Sequence, residues 1–214
     1  MKRQLRYAIG EVLIVIVGIT IAFSMNKCSE SQKNKTDKEQ YLENLKQDIH
    51  VDKSNLEHNL AEITAKIETL HHIIPLINTA APEKLKTQHS LFSTFKLTEF
   101  YPKDITYQTM INSGDFKLID DFTLKAAIEQ HYSNYKTILK DYYRQETIHK
   151  EYLGEYLIHH ANYDRLRNGG FAFENEGLFK NILQSMTGSF QIKKEATERG
   201  IQSCDNLLNI LDRF

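Results

Sequence analysis

Residues 7–25 read YAIGEVLIVIVGITIAFSM, an apolar run interrupted by one charge, Glu11. As a helix this stretch has no polar face to turn toward water, so the surface of a water-soluble fold cannot hold it. Its 19 residues rise about 28 Å as an α-helix, close to the hydrocarbon thickness of a bilayer at about 30 Å. A buried core helix is the weaker reading, because the run sits at the N-terminus behind Lys2, Arg3 and Arg6. The reading is a short cytoplasmic leader over 1–6 and a transmembrane helix over 7–25. A cleaved signal peptide is the alternative, with Ala22-Phe23-Ser24 offering small residues at cleavage spacing. The length of the run and Glu11 favour an uncleaved anchor. A lipoprotein signal fails, because Lys27 precedes Cys28 where a small residue is needed.

Basic residues flank the run on both sides, with Lys27, Lys33, Lys35 and Lys38 following it, so their count alone does not orient the helix. The acid-free leader favours an N-terminus inside the cell and a soluble domain outside the cytoplasm. Glu11, Val15, Gly18 and Ala22 fall on one helical stripe by their spacings of four, three and four. Gly18 and Ala22 form a small-xxx-small pair of the kind that lets membrane helices approach closely. Two readings stand for this face. One is a helix–helix contact in which Glu11 meets a polar partner; the other is a glutamate whose head reaches water at the interface.

A polar stem over 26–38 leads to a soluble domain over 39–214. Leu42, Ile49, Leu56, Ile63, Leu70 and Ile77 recur every seven residues, with Leu45, Leu60, Ile67, Ile73 and Ile74 between them. That pattern is a long amphipathic helix, continuous with the anchor if the stem is helical. The interleaved set breaks at Asp52 and Asn59, which favours a packed bundle helix over a regular coiled coil. Pro75 kinks or ends it. A connector follows over 78–101, with a short helical piece around Ser90–Phe95. Asp104 can cap a helix that runs through Asn112, and Gly114 suits its C-terminal turn. Leu118 and Ile119 make an apolar plug. Asp120 or Asp121 starts a long helix whose buried face is Ile128, Tyr132, Tyr135, Leu139 and Tyr142. Arg144–Glu151 is polar apart from Ile148, and apolar spacing resumes at Leu153, Tyr156 and Leu157. Asn168-Gly169-Gly170 is a loop. A last helix from about Gly177 to Leu211 carries Leu178, Ile182, Met186, Ile201, Leu207, Leu208 and Leu211, with Gly188 and Gly200 as candidate breaks. The fold class is therefore all-α: a transmembrane helix followed by an antiparallel bundle of long helices. Nine Gly and three Pro in 214 residues agree with that.

Tyr7-Ala8-Ile9-Gly10-Glu11 ahead of the apolar run, then Tyr41-Leu42-Glu43-Asn44-Leu45-Lys46-Gln47-Asp48, form one familiar segment pair. The other familiar segment is Thr106-Tyr107-Gln108-Thr109-Met110-Ile111-Asn112-Ser113-Gly114-Asp115-Phe116-Lys117-Leu118-Ile119, followed by a Leu124…Tyr132 helix. Together they resemble an uncharacterised family of single-pass envelope proteins from bacteroidete bacteria, named only as a domain of unknown function. The resemblance covers nearly the whole chain. It implies a bacterial inner-membrane anchor and a helical periplasmic domain, and brings no catalytic residues. Relatives tend to have an aromatic Asn-Trp-type segment after the anchor; here Met25-Asn26-Lys27-Cys28 stands instead, with no Trp.

The remaining residues offer little chemistry. Net charge is −1, from 27 basic and 28 acidic residues, which excludes the basic footprint of a nucleic-acid binder. Two cysteines, Cys28 and Cys204, allow at most one intrachain bridge or a Cys28–Cys28 link between subunits. Glu68–His71 and Glu146–His149 match the Glu-x-x-His spacing of carboxylate-bridged metal bundles. Two matches are what chance supplies for so short a motif, and Glu68 and His71 flank the Leu70 stripe, facing solvent. The pairs His71-His72 and His159-His160 point about 100° apart on a helix and read as solvated or capping groups. No phosphate loop, nucleophile elbow or zinc-protease motif occurs. The tyrosines of 132–142 read as core. No catalytic, cofactor-binding or metal residues are assigned, and the one candidate site is the membrane-helix face Glu11, Val15, Gly18 and Ala22. The expected function is a membrane-anchored envelope scaffold, not an enzyme, that binds a protein partner or a second copy of itself. The alternative is a periplasmic sensor or ligand-binding domain acting through a membrane partner.

Overall fold

The computed structural model describes residues 2–80 and 82–214, and the side chains of all of these except 2–9 and 12. The basic leader and the Tyr7-Ala8-Ile9 end of the resemblance motif, as side chains, lie outside the described residues. The fold is all-α, and among the described residues no strand forms beyond a lone bridge between Ala161 and Phe173. The chain divides into two compact units: Met1–Leu45 with Thr106–Asp120, and Lys46–Ile105 with Asp121–Phe214.

The first helix, α1, spans Lys2–Ile73. It contains the apolar run, the polar stem and most of the heptad stripe, so the stem is helical. Its first part, with the second segment of the resemblance motif, makes the smaller unit. There α3 (Ile105–Ser113) ends at Gly114, whose φ of +78° is the left-handed geometry expected of a C-terminal glycine. A 3₁₀ turn, Asp115–Leu118, follows. The Tyr41 hydroxyl donates to Asp115 at 2.9 Å, and Lys38 reaches Asp120 at 3.3 Å. Ile119 is fully buried, as expected for the plug, whereas Leu118 is only half-buried.

In the larger unit α1 ends at Ile73, and Pro75 sits in a 3₁₀ turn, Ile74–Leu76. The connector holds a longer helix than its sequence suggests: α2 spans Glu83–Thr94. Residues 95–104 then form a strap with no helix of its own, turning at Phe95 and Lys96 before running on to Asp104. Helix α4 (Phe122–Thr147) starts where Asp121 accepts the Leu124 N–H at 2.8 Å. It passes through a π-helical stretch, Ile148–Gly154, into α5 (Glu155–His160). A short α6 (Tyr163–Arg167) and the Gly169 turn at φ +76° lead to α7 (Glu176–Leu211).

Direction follows from side-chain pairs. Lys53 meets Asp205, and Leu56 lies beside Gly200, so α7 runs antiparallel to α1. His131 meets Ser203, Tyr135 meets Cys204 and Tyr142 meets Thr197, so α7 is also antiparallel to α4. Helices α1 and α4 are thereby parallel to each other, and the strap is the return path between them.

Three local expectations change. The buried face of α4 runs through Ile128, His131, Tyr132, Tyr135, Ile138, Tyr142 and Gln145, and Leu139 is 37% exposed. The inward stripe steps by three from Tyr135 to Ile138, not by four. Leu178, in the first turn of α7, is exposed. Gly188 and Gly200 do not break α7. Gly200 serves packing instead: a Cβ there would sit 3.0 Å from a Leu56 methyl and 3.2 Å from an Ile138 methyl.

One end of the core is aromatic. Phe173 stacks on Phe179 with ring centres 4.3 Å apart, and Tyr156 stacks on the same ring at 4.9 Å. Phe179 is fully buried, so Phe179→Ala should cost about 3–5 kcal/mol. Gly200→Leu should cost about 1–3 kcal/mol by overpacking. Helix loss on heating, followed by circular dichroism in mild detergent, should register Phe179→Ala as the larger fall in Tm. An unchanged Tm for Gly200→Leu would show that α7 has room at that crossing.

Candidate functional site

Leu45, Asp52, Asn59, Lys66 and Ile73 lie seven apart on α1 and are all buried. The three central members are polar, and each bonds the strap. Asp52 accepts the Lys103 N–H through both carboxylate oxygens, at 2.9 and 3.0 Å. Asn59 donates to the Glu99 carbonyl at 2.8 Å. Lys66 donates to the Lys96 carbonyl at 2.6 Å and to the Thr98 hydroxyl at 2.8 Å. Two turns of helix advance about 10.5 Å, and three to four extended residues cover about 10–13 Å, so the two repeats stay in step.

The other helices complete the sheath. Lys193 on α7 donates to the Thr98 carbonyl at 2.7 Å and to the Gln145 side chain, with its ammonium 4.3 Å from the Tyr142 ring centre. Gln145 donates to the Lys96 carbonyl at 3.4 Å. His149, in the π-helical stretch, donates from Nδ1 to the Gln145 carbonyl at 2.9 Å; a carbonyl only accepts, so that nitrogen carries the proton. Its Nε2 faces the Thr94 carbonyl at 3.4 Å. Phe100 of the strap packs edge-on to Tyr135 at 5.3 Å.

Burial shifts the ionisable members. It pushes the Asp52 carboxyl up to about 6, against the pull of the Lys103 N–H and the Tyr135 hydroxyl. Burial, with Lys66 as a like charge nearby, brings Lys193 down to about 7. Burial also lowers Lys66, opposed by Glu62 at 2.6 Å. His131 falls to about 4 for the same reason; its Nδ1 meets Ser203, and its buried Nε2 has no hydrogen-bond partner among the described residues. Burial raises the Cys204 thiol to about 11, which makes it unreactive. Both cysteines are free thiols, Cys28 exposed and Cys204 buried.

These groups hold a peptide segment. Beside the strap lies an open cleft of about 170 Å³, bounded by Tyr101, Tyr142, Tyr143 and Lys193. A larger groove of about 580 Å³ runs between α4 and α7, lined by Gln130, Asn134, Gln202 and Asn206. The tyrosines of 132–142 are core, as their spacing suggests. Glu68 and His71 are exposed. Glu146 bonds Lys150 at the surface while His149 turns inward, so the second Glu-x-x-His pair diverges.

The membrane-helix face is the site named from sequence. Glu11, Val15, Gly18 and Ala22 are all exposed on α1, and nothing stands within 4 Å of a Cβ built on Gly18. The apolar residues from Leu13 to Met25 are exposed on every side, and α1 is long and apolar enough there to cross a membrane. Sequence reasoning missed the strap network. Its signal was present as the sevenfold spacing of Asp52, Asn59 and Lys66, but nothing in periodicity names the partner.

Asp52 gives the network a pH signature. With its folded pKa raised above the unfolded value of 3.8, its contribution is fully present below that value and is lost as pH rises through about 6. Asp52→Asn removes this dependence and keeps an acceptor for Lys103. The Tm of the variant relative to the parent should therefore rise between pH 4 and pH 6.5. The buried histidines act with opposite sign but equally in both proteins, so they cancel. A flat difference would mean that Asp52 does not titrate in this window.

Over residues 11–156 the chain matches the model of a family of unknown function, DUF6090. No curated protein and no solved structure matches it.

Proposed function

The chain belongs to the DUF6090 family, and from that premise we propose that it is a non-catalytic scaffold of the bacterial cell envelope. It is anchored in the inner membrane by residues 7–25 and presents its helical domain on the periplasmic side. The observation that carries the reading is α1 itself. One helix holds a fully exposed apolar run and, further on, the buried stripe that organises the larger unit. A helix whose apolar side chains face outward all round needs lipid or protein against it. The Glu11, Val15, Gly18 and Ala22 face supplies the protein contact. Small residues bring a second helix close, and Glu11 meets a polar group on it. The buried lysines and Asp52, the groups that would suggest catalysis, already serve the strap, which supports an interaction role. A second reading, a ligand-binding or sensor domain, is favoured by the amide-lined groove between α4 and α7.

The experiment is the native mass of the whole protein, extracted in gentle detergent from its own host. A defined assembly larger than one chain is expected. Glu11→Leu and Gly18→Ile should each shift it toward the single chain while leaving membrane insertion intact. Gly18 has open space around it, so isoleucine costs the lone helix no steric clash, and a change in mass reports on the contact between helices. A parent that runs as one chain, or variants that leave the assembly unchanged, would overturn the assignment of this face.

A further inference from the structure

The smaller unit contains a cavity of about 550 Å³ just past the apolar run. Lys27, Ser31, Asn34, Lys35 and Lys38 line it from α1, and Lys117 lines it from the 3₁₀ turn. Glu30 and Asp120 also face it, so four lysines stand against two carboxylates, a formal charge of +2. Lys38 is held by Asp120 at 3.3 Å, and Lys35 lies 3.9 Å from Glu39. Lys27 and Lys117 make no ion pair among the described residues. Glu30 lies one turn from Lys27 and Asp115 feels the charge of Lys117, but neither is in direct contact, so both ammonium groups stay open to a ligand, with the Ser31 hydroxyl and the Asn34 amide as hydrogen-bond donors.

Depth along α1 identifies the class of ligand. Lys27 lies two residues past Met25, about 3 Å along the axis, and Ser31 about 9 Å. The headgroup layer of one leaflet is about 5–8 Å thick beyond the hydrocarbon. The Lys27 end of the cavity falls at the level of the lipid phosphates. Lys35, Lys38 and Lys117 carry the positive field farther along the cavity, with Lys35 and Lys38 about 15 and 20 Å past Met25, or about two Debye lengths.

We propose that this cavity binds the phosphate headgroup of an anionic phospholipid at its Lys27 end, with Lys35, Lys38 and Lys117 adding positive charge farther along it. The proposal rests on the reading that residues 7–25 span the bilayer. Each lysine near an anionic surface contributes about fivefold to binding.

The test uses the full-length protein in nanodiscs made from equal parts phosphatidylglycerol and phosphatidylcholine. Native mass spectrometry counts the lipids that stay on the chain as the disc is stripped. Severalfold enrichment of phosphatidylglycerol among the last lipids to leave is expected. The double variant Lys27→Gln/Lys117→Gln should return that ratio close to the bulk value. Lys27→Arg/Lys117→Arg should keep the enrichment, which guards against a folding defect, and Lys140→Gln on α4 should leave it unchanged. Retention at the bulk ratio in the parent, or enrichment that survives the glutamine pair, would overturn the proposal. An alkaline carbonate wash of host membranes separates the two readings. Release of the chain by the wash overturns the anchor and the headgroup site together. A chain that stays in the membrane but shows no lipid preference overturns the headgroup site alone.

Discussion

An extended peptide buried among helices exposes a carbonyl and an N–H at every residue, and in a sheet its neighbours would satisfy them. The strap of residues 95–104 has no neighbouring strand. Its polar groups are met by side chains instead: Asp52, Asn59 and Lys66 from α1, Gln145 from α4, and Lys193 from α7. An unsatisfied buried backbone group costs about 1–3 kcal/mol, so several left open would rival the stability of a whole domain. The strap and its sheath therefore stand or fall together. Replacing one donor with an apolar residue leaves a carbonyl buried and unpaired, even where the new side chain fills the space.

The strap exists because of topology. Helices α1 and α4 are parallel, and two parallel helices need a connection that travels back the length of the first. A third helix could serve, but ten extended residues return about as far as a helix of twenty-two. The cost is an interior rich in polar groups. Lysines 66 and 193 give up hydration on burial, which is why their pKa values fall. Each recovers part of that cost in hydrogen bonds to carbonyls and, for Lys66, in the Glu62 pair. The aromatic stack around Phe179 holds the end of the bundle where α2, through Phe92, passes into the strap at Phe95, so apolar packing fixes its start and hydrogen bonds fix its course.

Much of this was legible from the sequence wherever one element's own pattern suffices. The sevenfold stripe from Leu42 to Ile77 is buried throughout. Pro75, Gly114 and Asp121 mark the ends expected of them. The failures come where a residue's environment is set by another element. Gly200 looks like a helix breaker until Leu56 and Ile138 are seen beside it. Leu139 loses its buried place to Ile138 because α7 crosses α4 on that side. Asp52 and Asn59 were visible as defects in an apolar pattern, but the defect is a register of its own, continued by Lys66. Gln145 and His149 sit in a stretch whose composition reads as solvated. Gln145 lies on the buried face of α4 and His149 is buried in the π-helical stretch, both near a segment some fifty residues away in sequence.

Strongly shifted pKa values are often the first pointer to a catalytic centre, because catalysis needs groups poised between protonation states. Here the pointer leads to Asp52 and Lys193, and both have a complete structural account. Each is buried, and each donates to or accepts from a peptide group that would otherwise lack a partner. Asp52 turns its lone pairs to the Lys103 N–H, and Lys193, at the edge of the cleft beside Tyr142, donates to the Thr98 carbonyl. Attention then moves from the interior to surfaces that the fold leaves unpaired, and these gather on one part of the chain. The described apolar residues between Leu13 and Met25 are exposed all round. Gly18 has open space beside it, and Lys27 and Lys117 make no direct ion pair among the described residues. What the chain recognises is therefore better sought along the exposed apolar run of α1, and along the helix face that Glu11 and Gly18 share, than in the polar interior of the bundle.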